Sequence, residues 1–253
     1  SGNFTGTTGV LAATALNVTA TSAVSLDALI GGAGTLSLNG VGGTLALTRL
    51  NTYGGGTTVT AGTLALGVAN ALPGAVTVNG GTLSLASFNK TSGAITFTSG
   101  NITGTTGVLT ATTLTSAAAG SVSLDALIAG SGALSMSGTG TLAVTRANAS
   151  FSGATSVSAG TLQAGDNAAF GTAAITVSGT GTLVKDGPSA LNLNINSSTT
   201  FTGPLQIIGG QLRLSGSDVS SGRIGSTVIT VANPGSQLHI NQDNNNSPDR
   251  IVD

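Results

Sequence analysis

The sequence predicts an all-β fold, a single-stranded parallel β-helix (β-solenoid) with roughly 20 residues per turn. Three observations predict it: the residues favour strands over helices, short segments alternate apolar and polar residues, and similar segments recur at near-constant spacing. All three features are visible in Asn51–Leu66, NTYGGGTTVTAGTLAL. In this stretch two glycine turns separate two short alternating strands, and related stretches follow along the chain.

The composition excludes several classes of fold and function. The 253 residues include 40 glycines, no cysteine, no tryptophan and 6% charged residues, whereas about 25% charged residues is typical. The absence of cysteine excludes disulfides and thiol chemistry. A mean hydropathy of +0.38 with a formal net charge of −1 predicts a folded chain rather than a disordered one. No basic patch is present for nucleic acid, and no apolar run approaches the roughly 20 residues of a membrane span.

Short strands alternate with a period of two at Val76–Val78, Thr82–Leu85 and Ile95–Thr98. This period places Leu, Val and Ile on one face and Thr and Ser on the other. Glycines between the strands supply the backbone angles that sharp corners need. Because a single short turn cannot bury its own apolar face, successive turns must stack. We expect two or three strands of about four residues in each turn.

A large internal duplication is visible in the sequence. Ser1–Leu16 recurs as Ser99–Leu114, and Ala23–Gly34 recurs as Ser121–Gly132, in each case 98 residues further along (99 minus 1, and 121 minus 23). A third, partial copy is indicated by the GGQLRL segment that ends at Leu214. The duplication predicts that one structural unit is used more than once.

These repeats predict the domain organisation. We expect one continuous β-solenoid over residues 1–253, with copies at 1–98 and 99–196 and a partial third copy at 197–253. Both ends lie in the middle of a repeat, so we expect the sequence to be part of a longer chain. Open strand edges at the ends of a solenoid invite end-to-end association.

A shorter period lies inside the large one and is marked by Thr-Leu pairs. The pairs begin at Thr44, Thr63, Thr82, Thr141, Thr161 and Thr182. Their spacing is 19 residues in the first copy and 20 and 21 residues in the second. Such a period is typical of solenoids, whereas propeller blades need roughly 40 residues. The period therefore predicts the length of one turn.

The stretch Asn51–Leu85 resembles the autotransporter-associated β-strand repeat of bacterial surface proteins. The resemblance rests on its YGGGTT, AGTL and AVTVNGGTL blocks, and residues 148–183 resemble the repeat more loosely. It implies a right-handed β-helix, a passenger-type domain that is secreted or displayed on the bacterial outer-membrane surface. It implies no catalytic residues that can be transferred to this chain.

The function predicted from these observations is structural rather than enzymatic. We expect an extracellular or cell-surface β-helix that acts as a stalk, an adhesin or a component of a self-assembling fibre. The alternative is a carbohydrate- or ice-binding module that uses a face of Thr, Ser and Asn. The expected partners are the protein itself, end to end or laterally, or a host, cell-surface or glycan ligand. We expect no cofactor, no nucleic acid and no membrane insertion by this segment.

Few residues are candidates for acid–base chemistry. His239, the one histidine, follows Leu238 in an alternating strand and is expected to face outward into solvent. A catalytic triad would need this histidine, but no G-x-S-x-G turn accompanies it. Asp27 and Asp125 occupy the same place in the two SLDALI segments. Their recurrence favours a structural role at a corner or an outward position.

Other singled-out residues have structural interpretations. Arg49 and Arg146 each follow a strand that ends in threonine, and we expect them to bind nearby carbonyls or to lie in water. Tyr53 and Phe151 occupy equivalent positions and are expected to cover a corner as packing residues. The triple glycine at Gly54–Gly56 lacks the lysine and helix of a phosphate loop and is interpreted as a turn.

Two polar patterns remain as candidate binding sites. The residues Asp243, Asn245, Ser247 and Asp249 alternate like the start of a calcium loop. The glycine expected at its sixth position is Pro248 and no glutamate follows, so a plain polar loop is favoured. Thr-x-Thr pairs at Thr58–Thr60 and Thr96–Thr98 suggest a flat hydroxyl face that could order water. The equivalent Val76–Val78 predicts an interruption of that face.

Overall fold

The structure, a computed structural model, describes residues 4–166, 168–171, 173, 175–188, 190–194, 200–215, 223–224 and 228–240. Throughout these ranges the chain forms strands and turns and no helix, so they contain no helix that could cross a membrane. The predicted all-β solenoid is confirmed, because the strands pair in parallel with partners about one turn of 20 residues away.

The chain divides into two compact units. The first unit comprises Ser1–Thr115 and Ser121–Ala129, and the second comprises Ser116–Gly120 and Gly130–Asp253. Each unit contains its own set of stacked parallel strands and its own buried apolar residues. The predicted single solenoid over 1–253, with copies that end at residues 98 and 196, stays a prediction.

The first unit is built from eight strands. They are β1 (Phe4–Ala12), β2 (Ala15–Val18), β3 (Ala23–Gly31), β4 (Thr35–Leu47), β5 (Thr57–Leu66), β6 (Val76–Ser84), β7 (Lys90–Ser116) and β8 (Ser121–Ala129). The parallel pairs are β1–β3, β2–β4, β3–β4, β4–β5, β5–β6, β6–β7 and β7–β8. Most of these pairs therefore join a strand to the strand one turn later.

The second unit contains shorter strands in the same arrangement. They are β9 (Ala133–Met136), β10 (Thr141–Val144), β11 (Thr155–Val157), β12 (Thr161–Ala164), β13 (Ile175–Val177), β14 (Thr182–Lys185), β15 (Ala190–Asn194), β16 (Thr200–Phe201), β17 (Leu205–Ile207), β18 (Gln211–Ser215), β19 (Arg223–Ile224), β20 (Ile229–Val231) and β21 (Gln237–Ile240). The parallel pairs form two runs, β10–β12–β14–β17–β20 and β9–β11–β13–β16–β19, and the chain contributes strands to the two runs in turn. The strands β15, β18 and β21 form a separate parallel sheet.

The Thr-Leu pairs mark the register of the turns. In the first unit Thr63 is paired with Thr44 on one side and with Thr82 on the other. In the second unit Thr161 lies between Thr141 and Thr182 in the same way. The short period predicted from the sequence is therefore the stacking period of the coil.

Each turn contributes apolar side chains to straight columns inside the coil. One such column in the first unit consists of Leu38, Val59, Val78 and Phe97, which are paired in register and are fully buried. Burying one side chain of this size contributes about 1.5–3 kcal/mol. A turn is thus stabilised mainly by the turns on either side of it, as the alternating sequence predicts.

Several strands are longer than the four residues expected. β4 has 13 residues and β7 has 27. These strands pass around corners of the coil while their backbone groups stay paired with neighbouring turns, and register shifts occur at the corners, for example between Val78 and Asn79. Glycines and outward polar residues at the corners interrupt the alternating pattern, so the sequence alone suggested separate short strands.

Candidate functional site

Asp27 forms a charged cluster with residues of the next turn. Its Oδ1 accepts hydrogen bonds from Arg49 Nε at 2.9 Å and from Thr48 Oγ1 at 3.0 Å. The side chains of Asp27 and Arg49 are about two-fifths exposed, at 42% and 37%. The Arg49 hydrogen bond, helped by Thr48, holds the pKa of Asp27 below its usual value. Arg49 therefore pairs with a carboxylate, whereas the sequence predicted a carbonyl or water.

The two recurrent aspartates do not form a carboxylate pair. Asp27 lies in β3 opposite Thr5, and Asp125 lies in β8 opposite Thr103. The described part of the chain contains no group of three or more His, Cys, Asp or Glu side chains that could hold a metal ion. General acid–base catalysis by two carboxylates needs them roughly 5–10 Å apart. The two aspartates lie on β3 and β8, which are several turns apart in the stacked strands, too far for such a pair.

The candidate calcium residues Asp243, Asn245, Ser247 and Asp249 lie outside the described residues, so that hypothesis stays a prediction. His239 lies in β21, where its backbone is in register with Arg213 of β18. The outward orientation predicted for its side chain stays a prediction.

Asn51 and Asn148 are buried amides that bind the backbone of neighbouring turns. Asn51 Oδ1 accepts a hydrogen bond from Ile30 N at 2.8 Å, and its Nδ2 donates to Ala71 O at 2.7 Å. Asn148 Nδ2 likewise donates to Ala169 O at 2.7 Å. Asn51 thus joins three successive turns at a corner where the ladder is interrupted.

Tyr53 and Phe151 are buried at equivalent corners but differ by one hydroxyl. The Tyr53 hydroxyl lies 2.5 Å from Thr57 Oγ1, and burial raises the pKa of Tyr53 to about 12. Phe151 has no hydroxyl, and Thr155, four residues later, has a buried Oγ1 without a hydrogen-bond partner. The packing role predicted for both aromatics agrees with their burial, at 2% and 3% exposure.

This difference gives a matched pair of stability predictions. Phe151→Tyr should stabilise the second unit by about 1 kcal/mol, because the new hydroxyl supplies a partner for Thr155 Oγ1. Tyr53→Phe should destabilise the first unit by a similar amount. Urea denaturation of the two variants measures both effects. If Phe151→Tyr is still stabilising when Thr155 is also changed to valine, the hydroxyl partnership is not the cause.

Two fully buried lysines were not singled out from the sequence. Lys90 Nζ donates hydrogen bonds to Leu72 O at 2.7 Å and to Thr91 O at 2.8 Å. Lys185 Nζ donates to Asp186 O, to Gly187 O at 2.9 Å and to Gly209 O. Both side chains are 0% exposed. Lysine amines held in this way bind main-chain carbonyls and are not accessible to a substrate.

The sequence contains one signal for Lys185. In TLVK it occupies the place that Leu85 occupies in TLSL, an inward position of the alternating strand. Its in-register neighbours are Ala164 and Ile207, so it stands in a core column beside a small residue that leaves space for its long side chain. For Lys90 no alternation precedes the residue, and the sequence gives no comparable indication.

Lys90 predicts an unusual pH dependence of stability. Burial lowers the pKa of Lys90 from 10.5 to about 8, and burial also lowers the pKa of Lys185. Between about pH 8 and pH 10.5 the unfolded chain binds the Lys90 proton more tightly than the folded chain does. The free energy of unfolding should therefore rise with pH over this interval. The rise should be clearest from about pH 8 to about pH 10, because the raised pKa of Tyr53 has the opposite effect above its unfolded value near 10.

Urea denaturation at several pH values across that window tests this prediction. The wild type should become more stable by as much as about 3 kcal/mol, and Lys90→Met should flatten the slope in part. Lys90→Met with Lys185→Met should remove it. A wild-type stability that falls steadily above pH 8 would show that these amines are not desolvated.

Three threonines form one outward row in register on the first unit. Thr77 lies in register with Thr58 of the preceding turn and Thr96 of the following turn. The interruption predicted at Val76–Val78 is therefore wrong for this row, because the alternation places the two valines inside and Thr77 outside. Beyond the register shift that follows Val78, Asn79 is paired with Ser99, and its Oδ1 accepts a hydrogen bond from Thr98 Oγ1 at 2.6 Å.

Comparison with known proteins identifies the repeat. Four segments, residues 42–66, 62–85, 130–164 and 183–214, match the family model of the passenger-associated-transport-repeat. No curated protein and no solved structure matches the chain significantly.

The all-β fold and its in-register turns place this chain in the class of β-solenoid repeat proteins. The match of four segments to the passenger-associated-transport-repeat model confirms the passenger-type resemblance drawn from Asn51–Leu85. The repeat and the solenoid together fit an autotransporter passenger domain.

Proposed function

We propose that this chain is a non-enzymatic passenger segment that is displayed outside a bacterial cell and serves there as a stalk. The observation that carries the proposal is that side-chain hydrogen bonds join consecutive turns. In the first unit Thr60 Oγ1 donates to Leu38 O at 3.1 Å, 22 residues away. In the second unit Thr202 Oγ1 donates to Val177 O at 3.2 Å, 25 residues away.

Such bonds add to the parallel backbone ladder and the apolar columns, so the turns that they join are held together in three ways. Polar side chains that serve an active site converge on one place, whereas these are distributed along the coil. A structure whose bonds are distributed in this way resists separation of its turns, which is the mechanical requirement of a stalk. The family of the matched segments supports the surface location.

Cysteine labelling on intact cells tests the location, because the chain contains no native cysteine. Ser87→Cys introduces a thiol at an exposed position, and Ser116→Cys introduces one at a fully buried position. A membrane-impermeant maleimide should label the Ser87→Cys variant on intact cells and the Ser116→Cys variant only after denaturation. Labelling of Ser87→Cys that requires cell lysis would contradict the proposal.

Deletion of one turn tests the stalk role separately. Removing residues 63–81 takes out one period of 19 residues and joins Gly62 to Thr82, so the register of the coil is kept. We expect this variant to be folded and displayed. The part of the chain that lies farthest from the cell should then lie closer to it by the height of one turn. If the full chain adhered to a ligand and removal of this single turn abolished that adhesion, the removed residues would form a local adhesive site instead.

A further inference from the structure

The sequence contains two Asn-Gly dipeptides, Asn39–Gly40 in β4 and Asn79–Gly80 in β6. Both lie at corners of the first unit, where each asparagine directly follows a register shift in its strand. Both asparagines are exposed. Because the two dipeptides are chemically identical, a difference in their reactivity must come from the residues that the fold places around each one.

An Asn-Gly dipeptide can modify itself with water as the only other reactant. The main-chain nitrogen of the glycine attacks Cγ of the asparagine side chain and a C–N bond forms. After proton transfer the side-chain nitrogen leaves as ammonia, and the product is a cyclic succinimide. Water then opens the ring at either carbonyl and yields aspartate or isoaspartate. Glycine favours the first step because it has no Cβ that hinders its nitrogen or restricts its backbone.

Two hydroxyl groups of the next turn donate to the side-chain amide of Asn79. Its Oδ1 accepts a hydrogen bond from Thr98 Oγ1 at 2.6 Å and a longer one from Ser99 Oγ at 3.5 Å. During attack by Gly80 N, negative charge develops on this same oxygen. Donors that are already aimed at such an oxygen stabilise the tetrahedral intermediate and speed the reaction. The fold therefore supplies Asn79 with an oxyanion site.

The corresponding hydroxyl beside Asn39 is bonded to the main chain instead. Thr60, one residue after the partner of Leu38, is the counterpart of Thr98, and its Oγ1 donates to Leu38 O at 3.1 Å. Asn39 itself is paired with Ala61, which has no hydroxyl. The amide oxygen of Asn39 is therefore less activated than that of the second dipeptide.

The two glycines differ in the same direction. Gly40 is buried, whereas Gly80 is exposed. Base from the solvent must take the proton of the attacking nitrogen, so exposure favours the reaction at Gly80. The φ angle of Gly80 is +126°, and a Cβ at this position would lie 2.4 Å from Thr60 O. The corner therefore requires a glycine directly after Asn79.

We propose that Asn79 is a self-modification site, which converts through a succinimide to isoaspartate and aspartate. Gly80 N is the nucleophile, and the hydroxyls of Thr98 and Ser99 stabilise the oxyanion that forms on Asn79 Oδ1. Ammonia is the leaving group, and water supplies the oxygen of the new carboxylate.

The isoaspartate product changes the main chain itself. It adds one methylene group to the backbone between Val78 and Thr82, which are both paired with neighbouring turns, and it places a negative charge at the corner. The extra length cannot be accommodated without a change of register on one side of the corner. The modification should therefore loosen the first unit and limit the lifetime of the folded chain, whether or not the chain is a stalk.

Mass spectrometry after prolonged incubation of the purified, folded chain in mildly alkaline buffer tests the proposal. Trypsin cuts after Arg49 and Lys90, so the peptides 1–49 and 50–90 separate the two dipeptides. Electron-transfer fragmentation locates each deamidated residue and distinguishes isoaspartate from aspartate. Asn79 should be converted several-fold faster than Asn39. In concentrated urea, where the fold is lost, the two rates should become similar.

Variants of Thr98 test the oxyanion donor. Thr98→Val removes the closer hydroxyl and should slow the conversion of Asn79 several-fold, whereas Thr98→Ser keeps a hydroxyl and should retain most of the wild-type rate. Thr60→Val changes the counterpart of Thr98 and is the matched control, which should leave the rate at Asn79 unchanged. Circular dichroism and urea midpoints establish that each variant is folded. Conversion of Asn79 no faster than that of Asn39 in the folded chain, or a Thr98→Val variant that reacts as fast as the wild type, would overturn the proposal.

Discussion

Replacing Gly40 by alanine is expected to destabilise the first unit by about 3 kcal/mol or more. Gly40 lies at a corner where two consecutive turns approach closely. A Cβ atom on Gly40 would lie 1.8 Å from the carbonyl oxygen of Ala20, in the preceding turn, and real Cβ contacts are essentially never shorter than 3.0 Å. The atoms in the way belong to the backbone, so relief requires separation of the two turns.

Gly93→Ala is the matched control, because a Cβ on Gly93 has no atom within 4 Å. This variant should stay within about 0.5 kcal/mol of the wild type. Urea denaturation of both variants measures the difference. Equal stability of the Gly40→Ala variant and the wild type would show that the turns do not approach as closely as described.

Asn51→Leu is expected to cost about 3 kcal/mol, the second large effect. Leucine has a similar volume but cannot accept from Ile30 N or donate to Ala71 O, and both backbone groups are left buried without this partner. Each buried unsatisfied group costs about 1–3 kcal/mol. Asn51→Asp should be at least as harmful at neutral pH, because its carboxylate places a negative charge next to Ala71 O.

Asn39→Ala serves as the control for this series, since Asn39 is exposed on the outer face. Its effect should be within about 0.5 kcal/mol. Denaturation midpoints of the Asn51 and Asn39 variants, measured side by side, show whether the Asn51 amide stabilises the fold. If Asn51→Leu proves neutral, the amide does not join the turns as its hydrogen bonds indicate.

The parts of the fold that repeat could be predicted from the sequence. Thr63 and Thr82 are separated by one period, and they are paired in register. The alternation that placed Leu83 inside and Thr82 outside also holds. Both features follow from local rules, the period of a strand and the length of a turn, so a single sequence contains enough information to predict them.

The side-chain contacts between turns could not be predicted in the same way. Arg49 reaches Asp27 across 22 residues, and this pairing depends on the register of two corners that the sequence leaves undefined. Lys90 is buried although lysine is rarely found inside proteins. Its burial depends on main-chain carbonyls that converge only after the coil has formed. The lack of a hydrogen-bond partner for Thr155 Oγ1 likewise follows only from the position of the buried Phe151 ring, which the sequence does not give.

The central claim is that consecutive turns stack in parallel with the register described, and engineered cysteine pairs test it most directly. Thr58 and Thr77 are direct neighbours, as are Thr77 and Thr96. Their Cα atoms, about 4.8 Å apart, lie within the range that a disulfide spans. Thr58 and Thr96 are two turns apart, roughly 9.6 Å, which is too far.

On mild oxidation, the 58/77 and 77/96 cysteine pairs should each form an intramolecular disulfide, and the 58/96 pair should remain reduced. Mass spectrometry of proteolytic fragments distinguishes these outcomes. Bridging of the 58/96 pair, or of none of the three pairs in folded protein, would contradict the stacked coil.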